Sequence, residues 1–172
     1  GYDRTSMELP ACQNRLIDEI AKVQPHVVVV LHNGSAVELP WADRVSAILE
    51  LYLGGEGVGE AADQLLYGEA NPSGHLAETF PLRLQDNPSY LPFPGNDKRV
   101  AYGEDVFVGY RYYDTKEADV LFPFGHGLSY TTFAYSDLRL SHSIVREGED
   151  VQVTVTVTNT GAVSGKETVQ LY

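Results

Sequence analysis

Asp3 and Arg4 stand side by side in the opening "GYDRTSMELP", and His32 and Asn33 directly follow the apolar run "HVVVVL". These are the residues whose type and place could carry chemistry. An adjacent acid and base read most simply as an ion pair anchoring a loop; the alternative is that Asp3 and Arg4 shape a catalytic loop. The carboxyl end of a strand in an open α/β sheet faces the ligand crevice. His32 and Asn33 therefore either line a pocket or cap the turn "NGS". Other chemistries find less support. A glycosidase needs two carboxyl groups on opposite sides of the scissile bond, and among 24 acidic residues no pair is marked by spacing for that work. The five histidines show neither HxH nor HxxxH spacing and the chain has one cysteine, so no metal site and no cofactor are expected. Ser35 in "NGSAV" lacks the GxSxG turn of a nucleophile elbow. The glycines of "GGEGVGEA" match neither the dinucleotide nor the P-loop pattern, and read as a tight strand-to-helix turn.

The elements that would hold these residues follow from periodicity. Residues 10–23 place Leu9, Cys12, Leu16, Ile17, Ile20 and Val23 on one helical stripe, with Pro10 at the start and Pro25 past the end. The cysteine on that stripe is expected to be a buried, inert thiol. "HVVVVL" is β-branched without polar alternation, the pattern of a strand buried on both faces in a parallel sheet. "SAILEL" is a second short apolar run, a helix is expected from about Gly59 to Tyr67, and "LAETF" reads as a third strand ended by Pro81. Residues 1–81 thus read as part of an open α/β domain. Residues 82–127 form an aromatic linker punctuated by Pro and Gly. From Phe133 onward the period is two: Val151, Val153, Val155 and Val157 alternate with Gln152, Thr154, Thr156 and Thr158, and "KETVQLY" resumes the pattern. Residues 128–172 read as the beginning of a β-sandwich, short of the roughly 100 residues such a fold uses.

Composition narrows the function classes. The formal net charge is -12 and the basic residues are scattered, so a nucleic-acid partner is not expected. The longest apolar run, Val27–Leu31, is too short for a membrane span. The ends read as cut, which gives the expectation of a piece of a longer protein. The lone cysteine and the lack of a leader slightly favour a cytoplasmic over a secreted or periplasmic origin; the compartment is otherwise unknown.

Six segments occur in a characteristic order: "GYDRTSMELP", "VVVVLHNGSAVELPW", "YGEANPSGHLAETFP", "VGYRYYD", "LFPFGHGLSYTTF" and "VTVTNTGAVSGKETVQLY". Together they resemble the C-terminal half of glycoside hydrolase family 3 β-glucosidases over essentially the whole chain. The resemblance implies the end of an α/β sandwich domain, a linker, and an incomplete fibronectin type III-like domain. It implies retaining hydrolysis of terminal β-linked glucose by an enzyme whose nucleophilic aspartate lies in an N-terminal barrel absent here. The acid/base glutamate is expected just before Gly1. No catalytic carboxylate is then present, and Asp3 and Arg4, which match the tail of the acid/base loop motif, would support that loop. The implied partner is the missing barrel and the remainder of the same enzyme, and a β-glucoside would bind only the complete protein.

Two readings compete with the enzyme segment: a non-catalytic carbohydrate-binding module and a structural fibronectin-like unit. The ring-rich "LFPFGHGLSYTTF" bears on both, as a stacking platform or as a joint between domains. Its place between linker and sandwich favours the joint.

Overall fold

The computed structural model describes residues 4–96 and 98–172. They form two units, one holding the residues up to Asp63 and His75–His126, the other Gln64–Gly74 and Gly127–Tyr172.

In the first unit, helix α1 (Ala11–Val23) starts after Pro10, and strands β1 (Val28–Leu31) and β2 (Ala47–Glu50) pair in parallel. The register sets Leu31 opposite Glu50, so both strands reach their carboxyl ends together. Met7, Leu31, Ala36, Val37, Leu39, Trp41 and Phe80 form the core, with Leu9, Ile17, Val29 and Ile48 packed against it. Trp41 is wholly enclosed, and its indole N–H donates to Asn14 Oδ1 at 2.8 Å, which ties α1 to the core. A buried indole needs such a partner because its desolvated N–H would otherwise go unpaired.

The stripe on α1 is only partly used. Ile17 packs inward, whereas Leu16 and Ile20 are exposed and Val23 is 84% exposed. Cys12 is exposed too, which corrects the expectation of a buried thiol. β1 also falls short of burial on both faces: its residues run from exposed Val28 to buried Leu31. Among the described residues the parallel sheet has two strands, so β1 has a strand neighbour on one side only.

The turn "GGEGVGEA" delivers the chain into α2 (Val58–Leu66). Gly55 has φ +69°, and a Cβ on Gly54 would lie 2.5 Å from Val58 Cγ2, so the close turn requires glycine. "LAETF" does not extend the parallel sheet. Only Phe80–Pro81 is strand (β3), and it pairs antiparallel with β4 (Val120–Phe122). Phe80 packs edge-on against Phe122, with ring centroids 6.2 Å apart. Residues 82–127, read as linker, carry helix α3 (Tyr110–Lys116) as well as β4.

The second unit is built on the antiparallel pair β5 (Phe133–Leu140) and β6 (Val153–Asn159). The register shifts between Ser136 and Arg139, where Asp137 has φ +54°. Along β6, Val153, Val155 and Val157 are half-buried and the threonines between them exposed, as strict alternation requires. "KETVQLY" forms no strand. Its Thr168 hydroxyl donates to Ser73 O and its Glu167 accepts from the Tyr135 hydroxyl. Strand pattern alone does not make a ladder without a neighbour to pair with.

Candidate functional site

The carboxyl ends of β1 and β2 collect the polar groups of interest. After Leu31 the chain turns through His32, Asn33, Gly34 and Ser35 before Ala36 and Val37 return to the core. His32 is exposed, whereas Asn33 is half-buried and donates from Nδ2 to Ser35 O at 2.9 Å. Arg4 reaches this turn from the start of the chain. Its guanidinium donates to Ser35 Oγ and to Ala36 O, the latter at 3.0 Å. The following segment runs alongside: Glu38 N–H donates to Met7 O at 2.9 Å, and Glu8 bridges Glu38 in parallel. Glu38 Oε1 in turn accepts from Leu84 N–H at 2.9 Å. Asp3 lies outside the described residues, so its partner is not part of this geometry.

Three residues that sequence reasoning passed over complete the cluster. Glu50 ends β2, and its Oε1 accepts from Tyr52 N–H at 2.7 Å while Tyr52 holds a left-handed φ of +46°. Burial pushes the Glu50 carboxyl above its ordinary range. The Tyr52 N–H and the Asn33 side chain oppose that shift, Glu78 adds to it and His32 opposes it. The Tyr52 hydroxyl is also pushed up, first by burial and then by the Glu78 and Glu50 carboxylates beside it. Glu50 Oε2, Asn33 Oδ1 and Tyr52 Oη are each buried without a hydrogen bond of ordinary geometry. The sequence shows Glu50 only as a carboxylate closing the apolar run "SAIL"; its place level with the end of β1 comes from the register. Nothing local marked Tyr52 or Glu78.

A second polar locus lies in "NPSGH" and "FPFGHG". Leu76 N–H donates to His126 O and Gly125 N–H to Leu76 O, both at 2.8 Å, and His75 Nδ1 lies 2.7 Å from Gly125 O. The His126 ring stacks on Phe122, centroids 5.0 Å apart. Burial and then the charge of His75 lower the His126 pKa. In "LFPFGHGLSYTTF" the residues to His126 belong to the first unit, and Gly127 onward to the second. Elsewhere in the first unit, Pro88, Leu91, Glu104, Phe107, Tyr112 and Lys116 line an open, mainly apolar cleft of ≈ 660 Å³. Among the described residues no three His, Cys, Asp or Glu side chains group as metal ligands, and no helix is long and apolar enough to cross a membrane.

Comparison with known proteins bears on the whole chain. Residues 1–130 match the model of the glycosyl hydrolase family 3 C-terminal domain. Over 172 residues the chain is 58% identical to thermostable beta-glucosidase B of Acetivibrio thermocellus, covering 100% of this chain and 23% of that protein. It is 50% identical over 176 residues to the probable beta-glucosidase I of Emericella nidulans, covering 21% of it. Among solved structures, the Bifidobacterium adolescentis GH3 beta-glucosidase superposes with a TM-score of 0.88 at 43% identity, over 95% of this chain and 24% of that one. Thermotoga neapolitana beta-glucosidase 3B, solved with glycerol, gives 0.86 at 40% identity over 96% and 24%. The chain spans under a quarter of the length of these relatives. With residues 1–130 matched and every residue aligned to the relatives, the chain belongs to glycosyl hydrolase family 3, and the matched part is that family's C-terminal domain.

Proposed function

We propose that the chain is a segment of a β-glucosidase that hydrolyses terminal β-linked glucose with retention, and that its part in the reaction is to hold the acid/base loop. The observation that carries this reading is 58% identity, along the full chain, to a protein named as a β-glucosidase. Retention needs two carboxyl groups about 5 Å apart. In this reading neither belongs to the chain: the acid/base glutamate precedes Gly1, and the nucleophilic aspartate lies in a barrel outside these residues. Arg4, seated on Ser35 and Ala36, supports the role of loop anchor, with Asp3 as its neighbour in sequence. His32 and Asn33 line the sugar-facing side of the α/β part at the carboxyl end of β1.

Residues 1–81 are the end of the α/β sandwich domain, 82–127 the linker, and 128–172 the opening of a fibronectin type III-like domain. The antiparallel β5–β6 pair with its alternating face supports the last assignment. The partner is the remainder of the same enzyme, and a β-glucoside binds only there.

Assaying the complete polypeptide and the 172-residue chain separately against an aryl β-glucoside tests the reading. The complete protein is expected to turn the glucoside over and the chain alone to be inactive. A complete protein without turnover, or an isolated chain working at rates near those of the complete one, overturns it.

A further inference from the structure

Glu50 sits where the candidate site meets the core. One carboxylate oxygen caps the N–H of Tyr52, a non-glycine residue at positive φ, and so stabilises a strained backbone conformation. The other oxygen and Asn33 Oδ1 are both buried without a hydrogen bond of ordinary geometry, and the two side chains lie together. A buried acceptor without a partner carries an uncompensated desolvation cost. A hydrogen bond between the Asn33 side chain and Glu50 relieves that cost, and it works against the rise that burial imposes on the Glu50 carboxyl. Asn33 then holds Ser35 through the carbonyl, and Ser35 and Ala36 hold Arg4. The chain of contacts thus runs from the end of β2 to the residues that directly follow the expected acid/base position.

We propose that Glu50 is a positioning residue: by holding Asn33 it fixes the Ser35–Ala36 turn on which Arg4 is seated, and with Arg4 the acid/base loop. This rests on the β-glucosidase reading for its catalytic consequence, though not for the structural tie. The orphan oxygens are closed to solvent, so Glu50 acts through Asn33 and not by touching the sugar.

The test uses the complete protein with Glu50→Ala, Glu50→Gln and Ser35→Ala. A general acid matters most when the leaving group is poor and contributes about 10²–10⁴-fold. Glu50→Ala is therefore expected to lower kcat/KM for an alkyl β-glucoside about tenfold to a hundredfold, and for 2,4-dinitrophenyl β-glucoside less than about threefold. Glu50→Gln still accepts from Tyr52 N–H and can donate to Asn33 Oδ1, so it is expected within about threefold of wild type on both. Ser35→Ala, which removes an Arg4 contact without touching the core, is expected to show the same selectivity at a smaller loss, and it stands in should Glu50→Ala fail to fold. Equal losses on the two glucosides, or no loss on either, overturn the proposal. Hydrogen exchange across residues 33–37 is read in the same proteins: faster exchange in Glu50→Ala but not in Glu50→Gln is expected, and unchanged exchange overturns the tie. Because exchange needs no turnover, a wild-type protein inactive on both glucosides sinks the β-glucosidase reading while the tie is still decided.

Discussion

In the first unit Trp41 and Phe80 are enclosed among Met7, Leu31, Val37 and Leu39, whereas in the second only Thr131 is buried among the described residues, and Tyr135, Leu138 and Leu140 of β5 face solvent. The first unit folds part of its apolar surface inward, and each large buried side chain there contributes about 1.5–3 kcal/mol. The second is a two-stranded ribbon, which is marginal without a further sheet or helix to cover a face. It makes up part of the deficit with directed polar ties. Asn71 Oδ1 accepts from Ser129 Oγ and Tyr130 N–H at 2.8 Å each, and its Nδ2 donates to Ser164 O at 3.1 Å. Thr131 Oγ1 donates to Asn159 Oδ1, and the Tyr130 hydroxyl to Leu65 O. Burial tolerates sequence change of similar volume; a hub of hydrogen bonds on one amide does not.

Breaking the hub of each unit tests this contrast. The largest effect is expected from Trp41→Ala, which opens a cavity and orphans Asn14. It should cost about 3–5 kcal/mol, seen as a lowered urea midpoint by circular dichroism and lost exchange protection in β1 and β2. A loss under about 1 kcal/mol would mean that the core does not hold the first unit.

Asn71→Ala should cost about 2 kcal/mol, with faster exchange confined to residues 64–74 and 127–172. A Cβ on Gly165 would lie 2.7 Å from Asn71 Nδ2 and 3.1 Å from Thr131 Cγ2, so Gly165→Ala displaces the same amide. The double variant is then expected to lose less than the sum of the two singles, and additive losses would show that the amide is not the shared element.

The smallest effect concerns pH. His126 holds its proton less tightly in the folded chain than at its ordinary 6.5, so the unfolded chain binds more protons in that range. First-unit stability should be full above about pH 6.5, fall as the pH drops toward the folded pKa, and level off below it. His126→Gln should flatten that acid limb in melts run between pH 5 and 8; an unchanged limb assigns it to another group.

Legibility differed between the units for physical reasons. The helix at Ala11–Val23, the two parallel strands and the alternating Val153–Asn159 all rest on local periodicity and were readable. "LAETF" misled because apolar content does not reveal a partner, and the partner of Phe80 is Phe122, far along the chain. "KETVQLY" misled for the same reason, since its alternation has no neighbouring strand to answer it. Cys12 was misplaced because a helical stripe says which side is apolar, not how much of it is covered. At the candidate site, Arg4, His32 and Asn33 stood out by type and place. Glu50, Tyr52 and Glu78 did not, because their meeting depends on strand register and on a loop from beyond the sheet.

The sequence by itself determined the family, through ordered motifs along the whole chain, and the class and approximate limits of the strongly periodic elements, because backbone preference and side-chain period are local properties. Only the tertiary structure decided that Glu50 and Asn33 share a buried spot, that Arg4 rests on Ser35 and Ala36, and that Asn71 ties its loop to Ser129, Tyr130 and Ser164. Each of those contacts joins residues between 17 and 93 positions apart or turns on their burial, and the desolvation that gives such polar contacts their weight exists only once the chain has closed around them.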